Sequence, residues 1–103
     1  MSTDLDIIKQ LEQTIGIKLE KLDKIWTFSV GYMQNERNQI TGLSLSECDL
    51  KEFPPLILKL QNLTELSLIN NKLGELPPSI IELQNLTELD LVSNQLSNLP
   101  PSI

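Results

Sequence analysis

The chain of 103 residues has no histidine, one cysteine, four glycines and four aromatic residues. Each shortage removes a class of function. Without histidine, the usual acid–base pairs and the Ser–His–Asp and Cys–His arrangements of nucleophilic catalysis are missing. No Cys/His cluster is present to hold zinc. Cys48, being alone, has no partner for an internal disulfide and no basic residue closely before it, so it reads as a buried structural thiol. Gly16, Gly31, Gly42 and Gly74 are too scattered for a phosphate-binding loop. With so few rings, the core must be built from aliphatic side chains.

Positive charge is also short. Eight basic residues face fourteen acidic ones, a net charge of -6. Residues 1–40 carry five basic and six acidic groups, while residues 41–103 carry three basic and eight acidic. Affinity for nucleic acid comes from neutralising phosphates with Lys and Arg, and this balance opposes it. Anionic membrane surfaces are disfavoured for the same reason. The sequence has no membrane-spanning apolar run, and Met1-Ser2-Thr3-Asp4-Leu5-Asp6 lacks the basic start and apolar stretch of a secretory signal. The expectation is a reduced, cytoplasmic protein.

What the sequence does have is a repeat. Residues 63–80 and 86–103 align at an offset of 23, with twelve of eighteen positions identical. A third copy runs upstream through Ile40, Leu43, Leu45, Cys48, Leu50, Phe53, Pro54, Pro55, Ile57 and Leu60. Leu66-Ser67-Leu68 and Leu89-Asp90-Leu91 alternate apolar and polar residues, the pattern of short strands buried on one face. Asn71 and Asn94 fall where the chain turns away from the strand. A buried amide there can bond backbone groups of its own copy and of a neighbour. Pro77-Pro78 and Pro100-Pro101 fix φ and remove donors, which starts an irregular convex segment. Ile80 and Leu83 then point inward. One copy cannot offset the entropy of ordering its residues, whereas stacked copies share continuous leucine rows.

The pattern LxxLxLxxNxLxxLPxxIxxL in residues 63–83 resembles the 23-residue leucine-rich repeats of bacterial and intracellular proteins. The resemblance covers residues 40–103. It implies an α/β solenoid with a short parallel sheet on its concave face, and protein binding as the usual role. Repeats are expected at 40–62, 63–85 and, cut short, 86–103. Cys48 departs from the pattern by replacing the ladder asparagine, and a small thiol tolerates burial at that position.

Residues 1–39 are expected to form an N-terminal cap, a helix followed by a β-hairpin. Leu5, Ile7, Ile8, Leu11 and Ile15 recur at helical spacing, Thr3 or Asp4 suits the helix start, and Gly16 suits its end. A second short amphipathic stretch spans Leu19 to Ile25. Phe28, Val30 and Tyr32 then alternate, and residues 34–38 read as a turn into a strand at Ile40. Trp26, Phe28 and Tyr32 are expected to cover the apolar end of the first repeat. Tyr32, its polar turn and Ile40-Thr41-Gly42-Leu43-Ser44-Leu45 also resemble the lead-in of leucine-rich-repeat regions in prokaryotic multidomain proteins such as Roco-type GTPases. No nucleotide site is implied.

At the other end, Ile103 corresponds to Ile80, five residues short of a full repeat. The expectation is a fragment of a longer protein whose last edge exposes Leu89, Leu91, Leu96 and Leu99. The alternative is a unit that self-associates through that edge.

Outward strand positions should stack in columns. Gly42, Glu65 and Glu88 form the first; Ser44, Ser67 and Asp90 the second; Ser46, Ile69 and Val92 the third; Glu47, Asn70 and Ser93 the fourth. The bland reading is a hydrated face. The sharper one is a small apolar spot of Ile69 and Val92, rimmed by acids, for a basic protein partner. Candidate contacts are therefore Glu65, Ser67, Ile69, Asn70, Glu88, Asp90 and Val92, with Cys48, Asn71 and Asn94 as the structural ladder. No cofactor, metal or catalytic residue is expected. Asn62-Leu63-Thr64 and Asn85-Leu86-Thr87 match the glycosylation sequon, but they recur with the repeat and are read as structural.

Overall fold

In the computed structural model, which describes residues 3–96, a capped helix comes first. The Thr3 hydroxyl accepts the backbone N–H of Asp6 and the Asp6 carboxylate accepts that of Thr3, so two free donors of the first turn are satisfied reciprocally. Helix α1 (Asp4–Ile15) stops at Gly16, whose φ of 73° is left-handed. Its buried residues are Ile7, Ile8 and Leu11. The helix packs against a 3-10 turn at Pro55–Lys59 and is tied to the sheet by the Asp4 carboxylate, which accepts the Ile40 N–H at 2.8 Å.

Five strands form one sheet in chain order: β1 (Glu20–Lys21), β2 (Val30–Gln34), β3 (Ile40–Leu45), β4 (Glu65–Ser67) and β5 (Glu88–Asp90). Strands β2 and β3 make the expected antiparallel hairpin, with a bulge between Met33 and Gln34. Strands β3, β4 and β5 run parallel, one from each copy of the repeat. Thr64 and Thr87, the sequon threonines, each donate both backbone N–H and hydroxyl to the carbonyl 23 residues earlier, Thr41 and Thr64. The recurrence of those threonines therefore has a structural reason.

Two expectations for residues 19–28 are corrected. Leu19 to Ile25 is not helical: it contains β1, parallel to β2, with Leu19 buried. Seven residues hold too few turns for a periodicity to outweigh strand pairing. Trp26 and Phe28 do not cover the first repeat but are 69% and 64% exposed. The core reaches instead through Ile7, Ile8, Leu11 and Leu19 to Ile40, Leu43 and Leu45, with Val30 and Tyr32 packed at its margin.

After each proline pair the chain forms a 3-10 turn, at Pro55–Lys59 and Pro78–Glu82, that returns Ile57 and Ile80 to the core. Leu63, Leu66, Leu68 and Leu73 of the second copy are at most 1% exposed. In the third copy Leu89, Leu91 and Leu96 are half-buried. Leu99 and Ile103 lie outside the described residues. No described helix is long and apolar enough to cross a membrane.

Candidate functional site

The asparagine ladder is where the copies lock together. Asn71 Oδ1 accepts the backbone N–H groups of Cys48 and Leu50, at 3.0 and 3.1 Å. Its Nδ2 donates to the carbonyls of Leu45, at 2.7 Å, and Leu68, at 3.1 Å. One side chain thus satisfies groups in its own copy and in the preceding one. Asn94 repeats the scheme one step on, accepting from Leu73 and donating to Leu68 and Leu91. Cys48, at the first rung, donates its thiol only to the Ser46 carbonyl, at 3.4 Å. Before it stands an antiparallel hairpin instead of another parallel copy, so no equivalent backbone groups await an amide. Burial pushes the Cys48 thiol pKa up.

On the opposite face of the sheet the columns have the expected register. Gly42 pairs with Glu65 and Glu65 with Glu88; Ser44 pairs with Ser67 and Ser67 with Asp90. The fourth column, Glu47, Asn70 and Ser93, lies past the strands at the turn, with φ of 54°, 57° and 61°. Asn70 Nδ2 reaches Glu47 Oε1 at 3.3 Å.

The face is not the open hydrated surface expected. Residues 22–29 form a strap across its first part. Ser44 Oγ donates to the Ser29 carbonyl at 2.7 Å and Ser46 Oγ to the Thr27 carbonyl at 2.9 Å, and both serines are fully or almost fully buried. Ile25 lies over Gly42: a Cβ there would stand 3.0 Å from Ile25 Cδ1. Gly31 admits the strap's origin, since a Cβ on it would collide with the Glu20 carbonyl and come within 2.8 Å of Leu22 Cγ.

The strap overturns the apolar spot. Ile69 is 6% exposed, buried on the strap side and outside the main core cluster, whereas Val92 is 62% exposed. The two do not form a common exposed patch. Between strap and strands runs a cleft of about 210 Å³, lined by Ile25, Trp26, Thr27, Glu65, Leu66, Ser67, Ile69, Glu88 and Asp90. Of the candidate contacts, Glu65, Ser67, Ile69, Glu88 and Asp90 converge here; Asn70 and Val92 lie beyond it. Burial, and secondarily the charge of Glu88, raises the Glu65 pKa. A larger groove of about 700 Å³ lies elsewhere, between the proline segments, with Lys51, Glu52 and Glu75 on its walls. Its mixed charges and lack of converging buried polar groups give it no defined chemistry.

Sequence reasoning missed the strap residues Ile25, Trp26 and Thr27. A signal existed in the first copy, whose outward positions Gly42, Ser44 and Ser46 are all small where the second copy has Glu65, Ser67 and Ile69. Small outward residues leave room for a segment to lie on the sheet.

Compared with known families, residues 61–103 match the model described as leucine-rich repeats, two copies. The match leaves the lead-in around Tyr32 outside. No curated protein matches the chain.

Proposed function

We propose that this chain, which carries leucine-rich repeats, is a non-catalytic protein-binding module. Repeats of this family generally mediate protein–protein interaction. The observation carrying the reading is the sheet face, where Glu65, Glu88 and Asp90 stand on adjacent strands with no cationic partner among the described residues. Like charges in cross-strand register are unfavourable unless something else uses them, and a basic protein surface would. In this reading the chain is a solenoid with residues 1–39 as its N-terminal cap and 40–103 as its repeats, working in the cytoplasm as part of a longer protein. Buried, unpaired Cys48 suits a reducing compartment.

The test is capture from a displayed peptide library of defined charge. Basic peptides should be enriched by the chain and lost with Asp90→Lys combined with Val92→Lys, while circular dichroism is unchanged. Absence of enrichment removes the reading, and equal capture by the double variant removes the acidic face as its site. Ile69, being buried, is unsuited to this test.

A second reading rests on the half-buried Leu89 in β5 and Leu91 and Leu96 after it. Copies pairing along that edge would form a self-associating structural unit. Light scattering separates the two: a strict monomer at high concentration eliminates self-association.

A further inference from the structure

Ser67 Oγ is a buried hydroxyl without a hydrogen-bond partner. Its column neighbour Ser44 gives its proton to the Ser29 carbonyl of the strap. At Ser67, 5% exposed and on the cleft wall, the strap presents no such group. A buried polar group left unpaired in this way is costly and uncommon in native proteins. Around it stand the carboxylates of Glu65, Glu88 and Asp90, none of them in an ion pair among the described residues though Asp90 accepts the Val92 N–H, and Trp26 lines the strap side.

We infer that the cleft between strap and strands receives the guanidinium of an arginine side chain carried by a basic partner. The inference rests on the protein-binding reading and gives it a specific contact. Three features select this occupant. The wall supplies acceptors, three carboxylates and a hydroxyl oxygen, and guanidinium is a donor-only group with five N–H bonds in a planar fork. The indole offers a flat face on which a guanidinium stacks, and that ring already draws a cation: Lys24 Nζ lies 5.4 Å from its centroid. The volume, about 210 Å³, is below that of ordinary small-molecule pockets and suits a single side-chain head. Glu88 and Asp90 are exposed, which leaves the cleft open to an incoming side chain.

The occupant relieves two unfavourable arrangements together. It gives Ser67 Oγ a donor, and it places positive charge between Glu65 and Glu88, whose burial and mutual repulsion otherwise disfavour ionisation of Glu65.

The test uses N-acetyl-arginine methylamide as probe on the intact chain, with N-acetyl-citrulline methylamide as its uncharged near-isostere. Trp26, the single tryptophan, reports by fluorescence, and the amides of Glu65, Ser67 and Glu88 report by NMR shift. Arginine should give a saturable change at both reporters, with citrulline about ten-fold weaker, as expected when a charge-assisted bond is replaced by a neutral one. Glu88→Gln and Asp90→Asn, at exposed positions that leave folding intact, should each weaken arginine several-fold. No saturable change, equal binding of citrulline, or undiminished binding by both variants overturns the inference. Library capture is scored separately. Basic peptides that are captured while the arginine probe fails leave the module reading standing and remove only this contact.

Discussion

The carboxamide oxygen of Asn71 accepts the backbone N–H of Cys48 at 3.0 Å across 23 residues of sequence, a full copy of the repeat. That bond and its three companions join turn to turn within the core, where water cannot replace them.

Asn71→Ala should therefore be among the most damaging single changes. It strands the N–H groups of Cys48 and Leu50 and takes a donor from the Leu45 carbonyl, while Leu68 keeps its bond from Asn94, and about 3 kcal/mol or more of stability should be lost. Asn94→Ala, at a half-buried position with fewer bonds, should cost about 1–2 kcal/mol. Urea midpoints of the two variants, compared at a common m-value, check the ranking. Equal losses would contradict it.

Gly31→Ala places a methyl against the Glu20 carbonyl and the Leu22 side chain. Strands β1 and β2 must separate, at a cost of about 1–3 kcal/mol. Because β1 leads into the strap, exchange of the Leu22 N–H, which donates to the Tyr32 carbonyl, should accelerate. The Thr64 and Thr87 amides between the repeats should keep their protection. Uniform loss of protection would show that the strap and the repeats open as one unit.

Much of this arrangement is legible in the sequence. The helix from Asp4, the hairpin, the parallel strands and the asparagine ladder follow from periodicity and from what a buried amide can bond. Residues 22–29 are illegible by the same means. The strap is held by its own carbonyls at Thr27 and Ser29, and every residue type carries that group. Its side chains Trp26 and Phe28 are mostly exposed and leave no burial pattern. Ile69 was misplaced for the same reason: its cover comes from a segment distant in sequence with no periodicity of its own.

Glu65→Gln should stabilise the chain at neutral pH, since the folded state holds this carboxyl at a raised pKa. Stability linked to it is fully present below the unfolded value of 4.5 and is lost as pH rises through the folded value. Glu65 is only partly buried, so the gain at pH 7 should be only about 0.2–0.5 kcal/mol. Below pH 4.5 the variant and the parent should converge. Chemical denaturation at pH 7 and pH 4 measures both ends. A gain persisting at the lower pH would assign the effect to something other than ionisation.

Cys48 should react slowly. Its thiol is buried, with a pKa raised by desolvation, so little thiolate forms at pH 8 and little of it is accessible. A disulfide reagent at that pH should label the native chain orders of magnitude more slowly than the urea-unfolded chain. Comparable rates would place the thiol on the surface.

The strap divides the molecule's inheritance in two. Residues 63–83 repeat a motif whose nearly every apolar position and whose asparagine are committed to stacking, so few of them are free to vary. Residues 22–29 hold the sheet largely through main-chain carbonyls and leave Trp26 and Phe28 mostly exposed. New side chains can therefore be tried at those exposed strap positions at little risk to folding. What the molecule recognises can drift quickly in a chain whose architecture hardly changes.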